Sequence, residues 1–321
     1  MDLYLGIDVG SVSTNLVIID RDSNVLAYEY LRTRGQPIRA VQDGLKAIEQ
    51  KMPAAAAICG VGTTGSARTL TGVVVGADTV KNEITAHAVA AGLVKPEVQT
   101  VLELGGQDSK IILLRHGVVT DFAMNTICAA GTGSFLDHQA ARLGIPIEEF
   151  GPMALRSGSP VHIAGRCSVF AESDMVHKQQ IGHLTEDIVA GLCNALVRNY
   201  LNNVGKGKEI LPPVVFQGGV AANIGIRAAF EKALQLEVFV PPYHHVMGAL
   251  GAAHLARSAV MKKNGTSFRG FSISALDYIT SSFECKGCPN ICEIVNISLE
   301  SELLARWGSR CGKWENLEEH G

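Results

Sequence analysis

Two isolated cysteines, Cys128 and Cys167, have the most distinctive chemistry in this sequence. Cys128 precedes an apolar-periodic segment at 135–143, and Cys167 precedes another at 169–180, so each is expected at the start of a helix. The unpaired N–H groups of a helix N-terminus lower the pKa of a thiol and favour the thiolate. Two thiolates are half of the ligand set of a four-iron cluster, and a two-fold symmetric dimer would supply the other half.

The alternative for both residues is a place in the hydrophobic core, where free cysteines are common. On these two motifs alone, the core location is the more frequent outcome. Cys59 and Cys193 stand alone in apolar stretches of the sequence, and we predict that both are core residues.

A phosphate-binding hairpin is predicted at the N-terminus. An apolar strand ends in Asp8, a Gly/Ser/Thr turn follows, and a second apolar strand runs over 16–19. Glycine lets the backbone approach a phosphate, hydroxyl groups can donate hydrogen bonds to it, and Asp8 can hold a hydrated magnesium ion. The residues expected to bind phosphate are Gly10, Ser11, Ser13 and Thr14.

The same pattern recurs about ninety residues later, which indicates an internal duplication. Gln107 and Asp108 lie in this second turn and are the candidates for orienting an attacking water. The residues expected to bind phosphate here are Gly105, Gly106, Ser109 and Lys110.

A third glycine turn joins a strand at 213–217 to a helix at 223–234. Its small residues would let a base or ribose lie against the backbone. The candidates are Gly218, Gly219 and Asn223. Any one of the three turns can be an ordinary tight turn, but three in this order are much more specific.

The three turns resemble the phosphate-one, phosphate-two and adenosine motifs of the actin-like ATPase superfamily. Within it, the sequence is similar to the activators of 2-hydroxyacyl-CoA dehydratases, to their benzoyl-CoA reductase relatives and to the reductases of double-cubane cluster proteins. The cysteine motifs at 128–135 and 165–174 distinguish this branch from kinases and chaperones, and the resemblance covers residues 3–262.

The resemblance implies an α/β fold: a duplicated actin-like (ribonuclease H-like) ATPase with two lobes, whose mixed sheets are flanked by helices. We expect a first lobe at 1–95 with a crossing helix at 246–262. The second lobe, at 96–245, would hold the cluster-binding helices, and a cysteine-containing extension would follow at 263–321.

The resemblance also implies a function, that of an ATP-dependent reductase. One [4Fe–4S] cluster per homodimer would be held by Cys128 and Cys167 of both chains, with ATP or ADP and Mg²⁺ bound between the halves. Single electrons would pass to an iron–sulfur dehydratase or double-cubane protein, with a ferredoxin or flavodoxin as donor. The alternative is an actin-like kinase or sensor ATPase with structural cysteines.

The sequence departs from the family pattern at two positions and at its end. Asn15 stands where relatives often have Lys, which removes one positive charge near the phosphates. Glu103 replaces a frequent Asp and is expected to keep its role in serving magnesium through water. Family activators usually end near residue 260, whereas this chain continues for about sixty residues.

Within that extension, Cys285, Cys288 and Cys292 form a C-x2-C-x3-C segment, and Cys311 is a candidate fourth ligand. This spacing suits a four-cysteine zinc site or a second iron–sulfur cluster, and it does not choose between them. The alternatives are structural disulfides or free thiols.

Composition agrees with a large folded protein in a reducing compartment. The 321 residues are 47% hydrophobic and 18% charged with a net charge of −3, so a large core can form and nucleic-acid binding by charge is not expected. The first strand begins at Leu3, so no signal peptide is expected, and no apolar segment reaches the roughly 18 residues of a membrane helix. We therefore predict a cytoplasmic protein with reduced cysteines.

Overall fold

Two five-stranded mixed sheets form the framework of the protein. The computed structural model describes residues 1–125, 129–262, 265–299 and 302–314. The chain forms two compact units, residues 1–81 with 252–321 and residues 82–251. The lobe boundaries derived from the sequence stay a prediction.

The first unit is built around a central strand that has an antiparallel partner on one side and a parallel partner on the other. Its elements are β1 (Asp2–Val9), β2 (Ser13–Ile19), β3 (Val25–Arg32), α1 (Pro37–Glu49), β4 (Ala57–Thr64), α2 (Arg68–Val75) and β5 (Thr79–Val80). The strand order is β3-β2-β1-β4-β5. Leu3, Leu5 and Ile7 of β1 are fully buried in a cluster that includes residues of α1 and α2. Burying each such side chain stabilises the fold by about 1.5–3 kcal/mol.

The second unit repeats this layout. Its elements are α3 (Glu83–Val94), β6 (Thr100–Leu104), β7 (Ser109–Arg115), β8 (Val118–Met124), α4 (Gly133–Leu143), α5 (Ile147–Leu155), α6 (Ser168–Gln180), α7 (Thr185–Asn203), β9 (Val214–Gln217), α8 (Ile224–Leu234) and β10 (Val238–Phe239). The strand order β10-β9-β6-β7-β8 is that of the first unit read from the other edge. The predicted duplicated α/β fold with mixed sheets is therefore confirmed.

Small residues on one face of the first sheet admit helix α9 (Met247–Val260). A Cβ atom at Gly62 would lie 2.2 Å from the carbonyl oxygen of Ala252, and one at Gly60 would lie 3.0 Å from Val260. The alanine- and glycine-rich character of α9, visible in the sequence, is explained by this close packing of a helix on a strand.

The extension folds into an antiparallel sheet that the sequence did not reveal. Its strands β11 (Tyr278–Glu284), β12 (Glu293–Leu299) and β13 (Glu302–Trp307) are adjacent in that order. Ile297 is fully buried and belongs to the hydrophobic cluster of the first unit. The extension is thus an integral part of that unit.

No helix in the described ranges is both long and apolar enough to cross a membrane.

Candidate functional site

Asp8 lies between two polar residues on neighbouring strands. It is paired across β1–β2 with Asn15 and across β1–β4 with Thr64. Directly paired residues project from the same face of a sheet, so the three side chains share one face. Asn15 and Thr64 are both buried.

Two buried oxygen atoms beside Asp8 have no hydrogen-bond partner within the protein. They are Asn15 Oδ1 and Thr64 Oγ1. A buried polar atom without a partner costs about 1–3 kcal/mol, so such atoms usually meet a ligand or a water. A carboxylate flanked by two neutral oxygens fits a hydrated magnesium ion, which prefers oxygen ligands and keeps several waters.

The first predicted phosphate turn is closed by a hydrogen bond of its own backbone and is also bonded to Thr33. Gly10 N–H donates to Ser13 O at 2.9 Å, and Thr33 Oγ1 donates to Gly10 O at 2.8 Å. The hydroxyls of Thr14 and Thr33 are 3.0 Å apart and Thr14 is fully buried, whereas Ser11 is exposed. The predicted phosphate ligands are therefore on one turn, but the Thr14 hydroxyl already has a partner inside the protein.

The second unit places Glu103 where the first places Asp8. Glu103 is paired with Lys110 on β7 and with Gln217 on β9. Unlike the neighbours of Asp8, Lys110 is charged, and its Nζ lies 3.0 Å from Glu103 and 2.8 Å from Glu83. Burial opposes the charge on Lys110, but the two carboxylates outweigh it and raise the pKa of Lys110.

His87 completes this buried group. Its Nδ1 lies 2.8 Å from Gln217 Nε2, and burial lowers the pKa of His87, with smaller influences from Glu103, Lys110 and Glu83. Sequence reasoning did not assign Glu83, His87 or Gln217 to a site, because each meets its partner only in the folded unit. Glu83 meets Lys110 on another element, and His87 meets Gln217 130 residues away. The one local signal was Asn82, which caps α3 and places Glu83 in its first turn.

A glycine follows the parallel strand in both units for the same steric reason. Gly65 and Gly218 have φ of +92° and +93°, in the left-handed region that favours glycine. A Cβ at Gly65 would lie 2.6 Å from Asp8 Oδ1, and one at Gly218 would lie 3.0 Å from Glu103 Oε1. Gly218 was a sequence candidate for the adenosine turn, whereas Gly65 and Thr64 were missed.

The turn predicted to bind adenosine is held by hydrogen bonds at both ends. Gly218 N–H donates to His244 O at 2.7 Å, and Gly219 opens a short 3-10 helix. Asn223 caps α8, and its Oδ1 accepts from the N–H groups of Gly225 and Ile226 at 3.0 and 3.1 Å. Only its buried Nδ2, which has no protein partner, remains to meet a ligand.

The second predicted phosphate turn is closed by a hydrogen bond from Gly105 N–H to Asp108 O at 2.8 Å. Gln107 at its tip is exposed, and Asp108 is half-buried. Burial raises the pKa of Asp108, and Lys110 partly offsets this effect. A carboxylate with a raised pKa is a better proton acceptor at neutral pH than an ordinary one.

This turn is bonded to the residues on both sides of the segment that contains Cys128. Before that segment, Asn125 Oδ1 accepts from Ser109 N–H at 2.6 Å, and Asn125 Nδ2 donates to Gln107 O at 3.3 Å. Cys128 itself lies outside the described residues.

After that segment, the N-terminus of α4 returns to the same turn. Gly133 N–H donates to Gly105 O at 2.9 Å, and Ser134 N–H donates to Gly106 O at 2.8 Å. The described residues on both sides of this segment, Asn125 before it and Gly133 with Ser134 after it, are thus bonded to the turn at 105–109.

Cys167 precedes α6, as predicted, and its carbonyl accepts the first helical bond from Ala171 N–H at 3.0 Å. The loop before it is held by Asp174, which accepts from Ala164 N–H at 2.8 Å, and by Asn199, whose Nδ2 donates to Gly165 O at 2.5 Å. Cys167 is half-buried, so it is neither a core residue nor a fully exposed one. Cys193, in contrast, is buried on α7 as predicted, whereas Cys59, also predicted as a core residue, is only half-buried on β4.

An apolar patch adjoins Cys167. Val169 and Phe170 in the first turn of α6 are 66% and 65% exposed. Arg166 beside them is exposed as well. Neighbouring large apolar side chains that are this exposed are typical of an interface with another chain.

The cysteines of the extension lie in the loop between β11 and β12 and in the segment after β13. In the part of the chain that the structure describes, no three His, Cys, Asp or Glu side chains are gathered to hold a metal ion. The predicted second metal site at Cys285, Cys288, Cys292 and Cys311 stays a prediction.

Comparisons with known protein families and with individual proteins lead to the same family. The sequence profile of the BadF/BadG/BcrA/BcrD ATPase family matches residues 5–256. The chain is 35% identical over 271 residues to the (R)-2-hydroxyglutaryl-CoA dehydratase activating ATPase of Acidaminococcus fermentans, with 82% of this chain and 100% of that protein covered.

Solved structures with a similar fold include a member of the same group of activators. The activator of the 2-hydroxyisocaproyl-CoA dehydratase from Clostridium difficile with bound ADPNP superposes with a TM-score of 0.73 at 31% identity, covering 81% of this chain and 96% of that one. A ROK family glucokinase from Streptomyces griseus, with a TM-score of 0.53 at 12% identity and coverage of 80% and 99%, shares the fold alone.

Proposed function

The chain belongs to the BadF/BadG/BcrA/BcrD ATPase family, and from this premise we propose that it is an ATP-dependent reductase that passes single electrons to a partner iron–sulfur protein. The observation that most supports this proposal is the hydrogen bonding of the turn at 105–109 to both flanks of the Cys128 segment. A change at the phosphates can thereby reach the residues that flank a proposed cluster ligand.

In the proposed site, Asp8, Asn15 and Thr64 hold the waters of a magnesium ion. When bound, magnesium neutralises charge on the phosphates and orients them. The turns at 10–14 and 105–109 donate backbone and hydroxyl hydrogen bonds to the phosphates, and the turn at 218–223 receives the adenosine. Asp108 accepts a proton from the attacking water, which Gln107 orients.

Lys110 has a different role from a surface phosphate ligand, because two carboxylates hold it inside the unit. We assign Glu103 and Glu83 to positioning Lys110, whose charge then faces the second phosphate turn. Magnesium is served mainly by Asp8, because the charge of Glu103 is balanced at 3.0 Å.

The cluster proposal needs two chains. Cys128 and Cys167 would supply two thiolates each, and a [4Fe–4S] cluster between the chains would supply low-potential one-electron chemistry. The exposed Val169 and Phe170 next to Cys167 support a homodimer contact at this place. The proposed acceptor is an iron–sulfur dehydratase or double-cubane protein, and the proposed donor is a ferredoxin or flavodoxin, in a reducing cytoplasm.

The proposal is tested by anaerobic purification of the parent protein and three variants. In Cys128→Ser and Cys167→Ser we expect loss of iron and of the broad absorption near ~400 nm, with a folded protein that still binds ATP. Cys59→Ser is the control, since Cys59 lies on β4 outside both motifs.

Iron retained at the parental ratio in either motif variant would refute the cluster. A colourless parent protein that turns over ATP would favour the alternative, an actin-like kinase or sensor ATPase.

A further inference from the structure

All four cysteines of the extension lie at one end of its three-stranded sheet. The strands are antiparallel, so the end of β11, the start of β12 and the end of β13 are neighbours, as the pairs Glu284 with Glu293 and Val295 with Trp307 show. Two segments at this end contain the cysteines. Cys285, Cys288 and Cys292 lie in the loop between β11 and β12, and Cys311 lies in the segment after β13.

The β11–β12 loop is tight. Cys285 N–H donates to Cys292 O at 2.8 Å, so these two residues close the hairpin opposite each other. Ile291 N–H donates to Cys288 O at 3.3 Å, and Ile291 has a φ of +42°. A β-branched residue in the left-handed region is strained, and such strain tends to occur where a loop has a function.

The segment after β13 packs against the residues around the β11–β12 loop. Gly308 packs beside Glu293, where a Cβ atom would meet the Glu293 carbonyl oxygen at 2.3 Å. Trp314 Nε1–H points to Cys285 Sγ at 3.1 Å, and the Trp314 ring meets Phe283 edge-to-face at 5.1 Å. An N–H group aimed at a sulfur is the kind of outer contact that stabilises a metal-bound thiolate.

The local charge also suits an anionic group. The guanidinium of Arg306 lies 5.2 Å from the Trp314 ring centre. Beside the cysteines, the exposed Lys286, Arg310 and Lys313 outnumber the exposed Glu284 and Glu293. Four thiolates around a divalent cation carry a net charge of −2, which such cations would balance.

We propose that the extension is a zinc module in which Cys285, Cys288, Cys292 and Cys311 bind one ion. Four thiolates including a C-x2-C pair form a closed tetrahedral zinc site, and the paired Cys285 and Cys292 match such a compact set. Because no three of the thiols are yet gathered around one point, binding closes the loop at 286–291 and the turn at 308–314. This site uses none of the residues assigned to the proposed cluster and nucleotide sites.

The test is the zinc and iron content of the full-length protein, purified without oxygen, measured for the parent and three variants. Cys288 and Cys311 are exposed, so replacing either with Ser removes a ligand without disturbing the packing. We expect about one zinc per chain in the parent and in Cys59→Ser, and none in Cys288→Ser or Cys311→Ser. Iron should be equal in all four, which separates this test from that of the proposed function.

Zinc added to the metal-depleted protein should change the emission of Trp314, and Trp314→Phe should lose this response although Trp307 remains. Zinc retained in both cysteine variants, iron lost from them in place of zinc, or a disulfide among the four cysteines in the purified protein would each overturn the zinc assignment.

Discussion

At the scale of single residues, the hydroxyl of Thr64 is informative because it is buried without a protein partner. Thr64→Val keeps the volume and removes this oxygen, so the nucleotide-free protein should be as stable as the parent or slightly more stable. The same change should raise the magnesium concentration needed for half-maximal ATPase activity about tenfold, the effect of losing a hydrogen bond of roughly 1.4 kcal/mol.

The neighbouring Thr63 is the matched control. Its Oγ1 donates to Arg68 O at 3.0 Å, so Thr63→Val should lower the melting temperature and leave the magnesium dependence unchanged. An unaltered magnesium requirement in Thr64→Val would show that Asp8 and its neighbours do not form the cation site.

His87 gives the second unit a predicted pH dependence. Burial lowers the pKa of His87 below its ordinary value of 6.5, so below that pH the unfolded chain binds more protons than the folded one. The contribution of His87 to the free energy of unfolding should therefore be complete above pH 6.5 and fall toward lower pH, by at most about 1.4 kcal/mol per pH unit.

Denaturant unfolding between pH 5 and 8 measures this slope (about the range in which His titrates). His87→Asn keeps an acceptor for Gln217 but cannot titrate. The unfolding of this variant should therefore take up about one proton fewer, which gives a smaller slope of free energy against pH. The exposed His162→Asn should behave as the parent. Equal slopes for all three proteins would refute the role of His87.

At the scale of elements, the glycine before Cys167 sets the position of its loop. A Cβ atom at Gly165 would lie 2.8 Å from the Ala195 carbonyl oxygen on α7, so Gly165→Ala must displace the loop. Such overpacking costs about 1–3 kcal/mol. We expect Gly165→Ala to lose most of its iron and to keep its ATPase activity.

Gly158→Ala is the control because a Cβ there meets nothing within 4 Å. Full iron content in Gly165→Ala would mean that the loop geometry does not matter for the cluster.

The sequence predicted elements with strong local patterns, and it failed where pairing is distant. The hairpin at Asp8, the turn at Gly105 and the helix after Cys167 each have a signal within ten residues. The proximity of Glu83, Lys110 and Gln217 has no such local signal, since it arises only when α3 packs on the sheet in which β6 pairs with β7 and β9. The strands of the extension were missed because their residues are mostly half-exposed and have few apolar repeats.

At the scale of the whole molecule, the proposed dimer depends on the patch beside Cys167. Phe170→Asp puts a charge on a side chain that is 65% exposed, so the subunit should fold normally. Burial of a phenylalanine is worth about 1.5–3 kcal/mol, and each dimer would lose two such contacts. We expect monomers by light scattering, no iron and retained ATP binding.

Val118→Asp, at a residue 64% exposed on β8, is the control and should stay dimeric. A dimeric Phe170→Asp protein with full iron would exclude this patch as the interface.

The nucleotide state should control electron transfer. We predict that the ATP and ADP states hold the cluster helices of the two subunits at different angles, and that the ATP state presents the cluster to its partner. Coupling between two sites is typically about 1–3 kcal/mol, which is roughly 40–130 mV for a one-electron couple. Because that shift is modest, control of partner docking should contribute much of the effect.

Asn125 allows this coupling to be tested apart from catalysis. Its side chain contributes two hydrogen bonds to the turn at 105–109, besides the backbone bond from Asn125 N–H to Ser109 O. Asn125→Ala removes the two side-chain bonds, so this variant should bind ATP and iron but lose the difference between nucleotides. The measurement is the cluster potential and the rate of electron transfer to the cognate partner, each with ADP and then with ATP. Equal potentials and rates in the parent protein would refute the coupling, and a parental difference that persists in Asn125→Ala would mean that the signal takes another route, such as the bonds from Gly133 and Ser134.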